Sequence, residues 1–127
     1  MCASVLAPEV PTIVLEPCDQ APRLARGFLA ERFVEWGIED DYVGRLVASE
    51  LVTNAWRHGE GPIVVRVFRD GGAVVVEVWD GGEGRPVIRS EDLDAESGRG
   101  LMLMAQLVRT WGFRPLNEGG KITWARF

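Results

Sequence analysis

Residues 63–80 read Ile63-Val-Val-Arg-Val-Phe-Arg-Asp70-Gly71-Gly72-Ala73-Val-Val-Val-Glu-Val-Trp-Asp80. β-branched and aromatic side chains dominate both halves, and such residues fit a pleated, half-buried surface. Asp70-Gly71-Gly72 supplies residues that tolerate the left-handed backbone of a tight turn, so the stretch predicts a hairpin with strands at 63–69 and 73–79. Upstream, Leu24, Ala25, Phe28, Leu29, Phe33 and Trp36 recur at intervals of three and four, one face of a helix over 21–36 that Gly37 caps. Asp40 or Asp41 offers an N-cap to a second helix over 42–57, with Val43, Leu46, Val47 and Leu51 on its apolar side. His58-Gly-Glu-Gly-Pro62 breaks that helix. A short strand at 12–15 comes first, ended by Pro17, and residues 1–10 are expected to be flexible.

Downstream of Asp80 the chain is glycine-rich and polar to about Ser97, longer than a minimal connector, which marks a functional or mobile segment. Leu101, Met104, Ala105 and Val108 mark a third helix. A second hairpin is expected from Trp111-Gly-Phe-Arg-Pro-Leu116 and Lys121-Ile-Thr-Trp-Ala-Arg-Phe127, turning at Asn117-Glu-Gly-Gly120. The whole predicts one α+β domain over 1–127, a two-layer sandwich with helices on one face of a mostly antiparallel sheet.

Composition narrows the function. No run reaches the ~18 apolar residues of a membrane span, and the first residues lack the basic and apolar regions of a secretory signal, so the expected compartment is the cytoplasm. A net charge of −5 leaves no general electrostatic footprint for nucleic acid. Cys2 and Cys18 make no disulfide framework and are read as free thiols. No metal-ligand cluster stands out. Glycine is the odd feature: most of the 15 follow position 58.

Glu50, Asn54 and His58 are spaced by four, so a helix stacks them along one stripe that drifts by roughly 40° per step. On spacing alone this is either a solvated polar face, with Glu50 paired by Arg57, or a site. As a site, Asn54 can hold a hydrated Mg²⁺, which takes oxygen ligands, and Glu50 can activate a hydroxyl or water. Asp80-Gly-Gly82-Glu-Gly84 follows a strand directly. Asp80 can accept hydrogen bonds from an exocyclic amine, and Gly82 and Gly84 let the backbone approach a flat ring or a phosphate. Gly98-Arg-Gly100 precedes the third helix, where backbone N–H groups and the dipole favour an anion. Each glycine cluster alone reads equally well as a turn.

In order, Glu50-Leu-Val-Thr-Asn54-Ala-Trp-Arg-His58, Asp80-Gly-Gly82-Glu-Gly84 and Gly98-Arg-Gly100-Leu101 resemble the N, G1 and G2 boxes of the GHKL ATPases, which share the Bergerat ATP-binding fold. Trp111-Gly112 and the closing Gly120-Lys121-Ile-Thr-Trp124 look most like the stand-alone anti-sigma-factor serine/threonine kinases. The resemblance implies Glu50 as general base, Asn54 as Mg²⁺ ligand and Asp80 on the adenine amino group. It also implies Gly82 and Gly84 shaping the base pocket, and Gly98 and Gly100 at the phosphates under a lid over 85–97. His58, Arg99, Leu101 and Thr123 complete the implied ATP-binding set. Trp56 departs from the small or aliphatic residue usual in that box and is read as a core or interface aromatic. The acidic lid is read as a solvated loop.

The implied function is an ATP- and Mg²⁺-dependent protein serine/threonine kinase that phosphorylates a STAS-domain antagonist and sequesters a sigma factor. A homodimer through the first strand and helix is also implied. The alternative is a nucleotide-dependent binding module that acts only by grasping a regulator. A sensor histidine kinase is disfavoured because the only histidine, His58, lies inside the nucleotide box. A gyrase- or MutL-like ATPase is disfavoured because the chain ends where a transducer domain would begin.

Overall fold

The computed structural model describes residues 10–83 and 96–127, with the helical backbone alone at 96–99. The elements run β1 (Thr12–Leu15), α1 (Ala21–Glu35), α2 (Tyr42–His58), β2 (Ile63–Asp70), β3 (Ala73–Asp80), α3 (Glu96–Leu107), β4 (Thr110–Pro115) and β5 (Lys121–Arg126). The strands form one sheet in the order β1-β2-β3-β5-β4, each adjacent pair antiparallel. This is the expected α+β two-layer sandwich.

Hairpin β2–β3 pairs from Val64↔Trp79 to Asp70↔Ala73, and Gly71 takes the left-handed conformation at φ +62°. Period-two alternation then sorts its side chains. Ile63, Val65 and Val67 are fully buried, while Val64, Arg66 and Phe68 are only half-buried on the far face. On β3, Val76, Val78 and Asp80 share the inner face; on β5, Lys121, Thr123 and Ala125 do. Phe28, Leu29 and Phe33 of α1, Val47, Leu51 and Val52 of α2, and Leu101 and Met104 of α3 close the core against that face. On the far face Glu77 lies between Arg66 at 3.0 Å and Arg114 at 3.5 Å, which keeps its carboxylate compensated.

Several expectations shift. α1 stops at Glu35; Trp36 is its cap, donating its N–H to Arg32 O at 3.0 Å, and Gly37 turns the chain out at φ +71°. Leu24, expected on the apolar face, is exposed because Ala21, Ala25, Phe28 and Leu29 define the buried stripe and it falls on the stripe's flank. Asp41 occupies the N-cap position of α2, but the hydrogen bond there runs from the Tyr42 N–H to Asp40 Oδ1 at 3.1 Å. α3 begins at Glu96, so Gly98 and Gly100 lie within its first turns rather than before it. Residues 1–9, Gly84 and the lid up to residue 95, together with the Arg99 side chain, lie outside the described residues.

Candidate functional site

The end of β3 places a carboxylate in a dry niche. Asp80 is 1% exposed. Its Oδ1 accepts the Gly82 N–H at 2.7 Å and an N–H of the Lys121 ammonium at 3.1 Å. Lys121 stands directly across on β5 and is itself 2% exposed. A carboxylate at this depth costs several kcal/mol unless it is compensated, and the ammonium and amide supply that compensation.

Three glycines wall the niche. A β-carbon at Gly59 would sit 2.5 Å from the Asp80 carboxylate and 2.6 Å from Ala55 O, and one at Gly82 would sit 3.2 Å from Gly59 Cα. One at Gly120 would overlap the Asp80 carbonyl and the Trp79 ring, and φ there is +80°. The Gly81 N–H donates to Glu60 O at 2.7 Å, lacing the segment after α2 to the segment after β3. The arrangement packs backbone without side chains directly around a carboxylate acceptor.

The second cluster lies along α2. Asn54 is buried at 3% exposure, Glu50 is half-buried, and only His58, in the last turn, is exposed. The stripe is therefore not a solvated face. The Glu50 carboxylate abuts the backbone of α3 at Gly100, where a β-carbon would overlap it. Burial pushes the Glu50 carboxyl above the ordinary carboxylate value, and the Arg57 and Arg26 guanidinium groups pull it part of the way back. Arg26, arriving from α1, also donates to Ser49 Oγ at 2.9 Å. The first turn of α3 presents backbone N–H groups that have no partner within the helix and the positive end of a helix dipole, which favour an anion.

Gly100→Ala follows from this contact as an expected result. Alanine raises helix propensity by about 1 kcal/mol, so the fold should be retained or gain slightly. The atom in the way is the end of a flexible side chain, so Glu50 gives way and its carboxylate leaves its present position. A melting temperature at or above that of the wild type, together with loss of any activity that depends on Glu50, is the result to look for.

Glu50 and His58 are joined by helix, eight residues at 1.5 Å each, roughly 12 Å, and Gly59 follows as the C-cap. Glu50, against α3, and the segment that meets Asp80 thus lie at the two ends of the C-terminal half of α2. Thr123, 4% exposed, lies two positions from Lys121 on the same face of β5, and Leu101 is fully buried in the core. Trp56 packs half-buried against the core, with the Arg57 guanidinium 5.4 Å from its ring centroid, in line with the aromatic reading. Sequence reasoning missed Gly59, Gly120 and Lys121. The signal for Lys121 was its parity with Thr123 and Ala125, which put a cation on the inner face of a strand.

A cavity of about 730 Å³ lies elsewhere, lined by Ile13, Arg23, Leu24, Arg26, Phe28 and Arg45 among others. Its guanidinium groups and apolar walls hold no buried carboxylate that could receive an amine. Among the described residues no helix is long and apolar enough to cross a membrane. A search of curated proteins returns no match. The buried Asp80 beside bare glycines, the Glu50-Asn54 stripe and the glycine-bearing start of α3 all fall inside residues 16–127, which match the family model described as histidine kinase-like ATPase domain; the chain belongs to that family of ATP-binding domains.

Proposed function

We propose that this ATP-binding domain is a regulatory serine/threonine protein kinase of the anti-sigma-factor type, using Mg·ATP to phosphorylate a STAS-domain antagonist and sequestering a sigma factor. The observation that carries the reading is the buried Asp80 beside the C-terminal end of α2 together with the Glu50 carboxylate against the start of α3. The choice of partners rests on the sequence resemblance of the three boxes and the closing strand.

In this reading the adenine amino group donates to Asp80, with Gly82, Gly84 and Thr123 around the base. The triphosphate runs along α2 towards Gly98, Arg99 and Gly100. Glu50 takes the proton of the acceptor hydroxyl as its oxygen attacks the γ-phosphorus; the bond from that phosphorus to the bridging oxygen breaks, and ADP leaves. Phosphoryl transfer is mostly positioning and charge stabilisation, so a small domain suffices. Asn54 offers a buried oxygen donor one turn from Glu50, and oxygen ligands completed by phosphates are the set that Mg²⁺ takes, so the donor chemistry fits. When bound, the cation neutralises charge on the phosphates. His58, exposed at the helix end, holds no step of the transfer.

The test is incubation of the protein with γ-labelled ATP, Mg²⁺ and a STAS-domain antagonist. Label on a serine or threonine of the antagonist supports the kinase. ATP binding with no label transferred to any candidate antagonist favours a module that acts by binding alone.

A further inference from the structure

The floor of the Asp80 niche carries a cation as well as a carboxylate. Lys121 and Asp80 are cross-strand neighbours, both nearly inaccessible, with Nζ 3.1 Å from Oδ1. As a stability device this is a weak choice, because a buried ion pair at best roughly repays its desolvation and an apolar pair of similar size does as well. As a recognition device it makes a difference. A carboxylate alone can only accept, so it takes any exocyclic amine that reaches it. An ammonium carries three N–H donors, and the contact with Asp80 uses one. Carboxylate and ammonium together offer an acceptor beside a donor, the complement of a base edge on which an amine stands next to an unprotonated ring nitrogen.

We propose that Lys121 is a second base-reading residue, donating to a ring nitrogen that flanks the exocyclic amine held by Asp80. The proposal rests on the reading of Asp80 as the adenine site. Glycine at 59, 82 and 120 lets the backbone pack directly around the pair, since a β-carbon at any of the three would press on Asp80 or on the backbone beside it. Thr123, on the same face of β5, stands next in line along the floor.

Calorimetric affinities for ATP, 1-deaza-ATP, 7-deaza-ATP and purine riboside triphosphate decide the matter. The deaza analogues replace one flanking ring nitrogen by C–H and keep the amine; purine riboside triphosphate lacks the amine. A hydrogen bond to a charged group is worth about 1.5–3 kcal/mol, so one deaza analogue should bind the wild type about 10- to 100-fold more weakly than ATP. In Lys121→Met that difference should vanish. Lys121→Met leaves Asp80 buried without its cation, so the neutral pair Asp80→Asn/Lys121→Met gives the same readout where the single variant does not fold. A purely structural lysine would lower the affinity for ATP and the analogues alike and leave their ratio intact. An unchanged ratio in the variants, or wild-type affinities equal for ATP and both deaza analogues, overturns the proposal. Equal wild-type affinity for ATP and purine riboside triphosphate overturns instead the reading of Asp80 on which it rests.

Discussion

Glu50→Ala is expected to lower phosphoryl transfer by about 10²- to 10⁴-fold, the usual contribution of a positioned general base, while Mg·ATP affinity stays close to that of the wild type. The separation follows from geometry: Glu50 faces the start of α3, whereas the base niche is built by Asp80, Gly59, Gly82 and Gly120 at the other end of α2. Labelling rates and calorimetric affinities on the same preparation check it. The proton balance of Glu50 adds two further signatures. Burial raises its carboxyl above the ordinary value, so transfer should rise with pH through a midpoint above that ordinary value and then level off. The folded state then holds the proton more tightly than the unfolded chain does. Between the ordinary and the raised value, stability therefore falls as pH rises. Glu50→Gln removes that loss, so it should unfold later than wild type at neutral pH and equally in acid, where Glu50 is protonated in both states.

Asp80→Asn should have the larger effect on the protein as a whole. It removes the charge that compensates Lys121, and leaving one member of a buried pair alone typically costs about 3–5 kcal/mol. It also replaces an ionised acceptor by a neutral one, so ATP affinity should drop by about 10- to 100-fold. Denaturant unfolding reads the first effect and calorimetry on folded protein the second. Asp80→Asn/Lys121→Met should recover much of the stability, because no lone charge remains, without recovering the affinity. Recovery of both would mean that Asp80 serves the fold alone.

The hairpin at 63–80 was legible because a two-residue period and an Asp-Gly-Gly turn are local signals; the structure keeps both strands and extends each by one residue, Asp70 pairing with Ala73. The first two helices were legible from apolar spacing for a similar reason. Leu24 was misplaced because spacing fixes a stripe and not its width; tertiary packing decides which flank residue is covered. Gly98 and Gly100 were expected before α3, since glycine disfavours helix interiors. The helix nonetheless includes them, and at Gly100 the reason is long-range: the space a β-carbon needs is taken by the carboxylate of Glu50, a residue of a different helix far back in the chain. Asp80 stood out in the sequence from its strand-end position beside glycines, but its partner did not. Lys121 is separated from it by 41 positions, and only the sheet order, with β5 inserted between β3 and β4, makes the two neighbours.

The measurement that tests the account most directly is an amide-shift titration of ¹⁵N-labelled wild-type protein with Mg·ATP. Saturable shifts are expected, concentrated at Gly59, Gly82 and 121–123 around Asp80 and at Asn54 and Gly100 towards the phosphates. Shifts confined to the basic cavity around Arg23, Arg26 and Arg45, with the Asp80 niche unmoved, would contradict it.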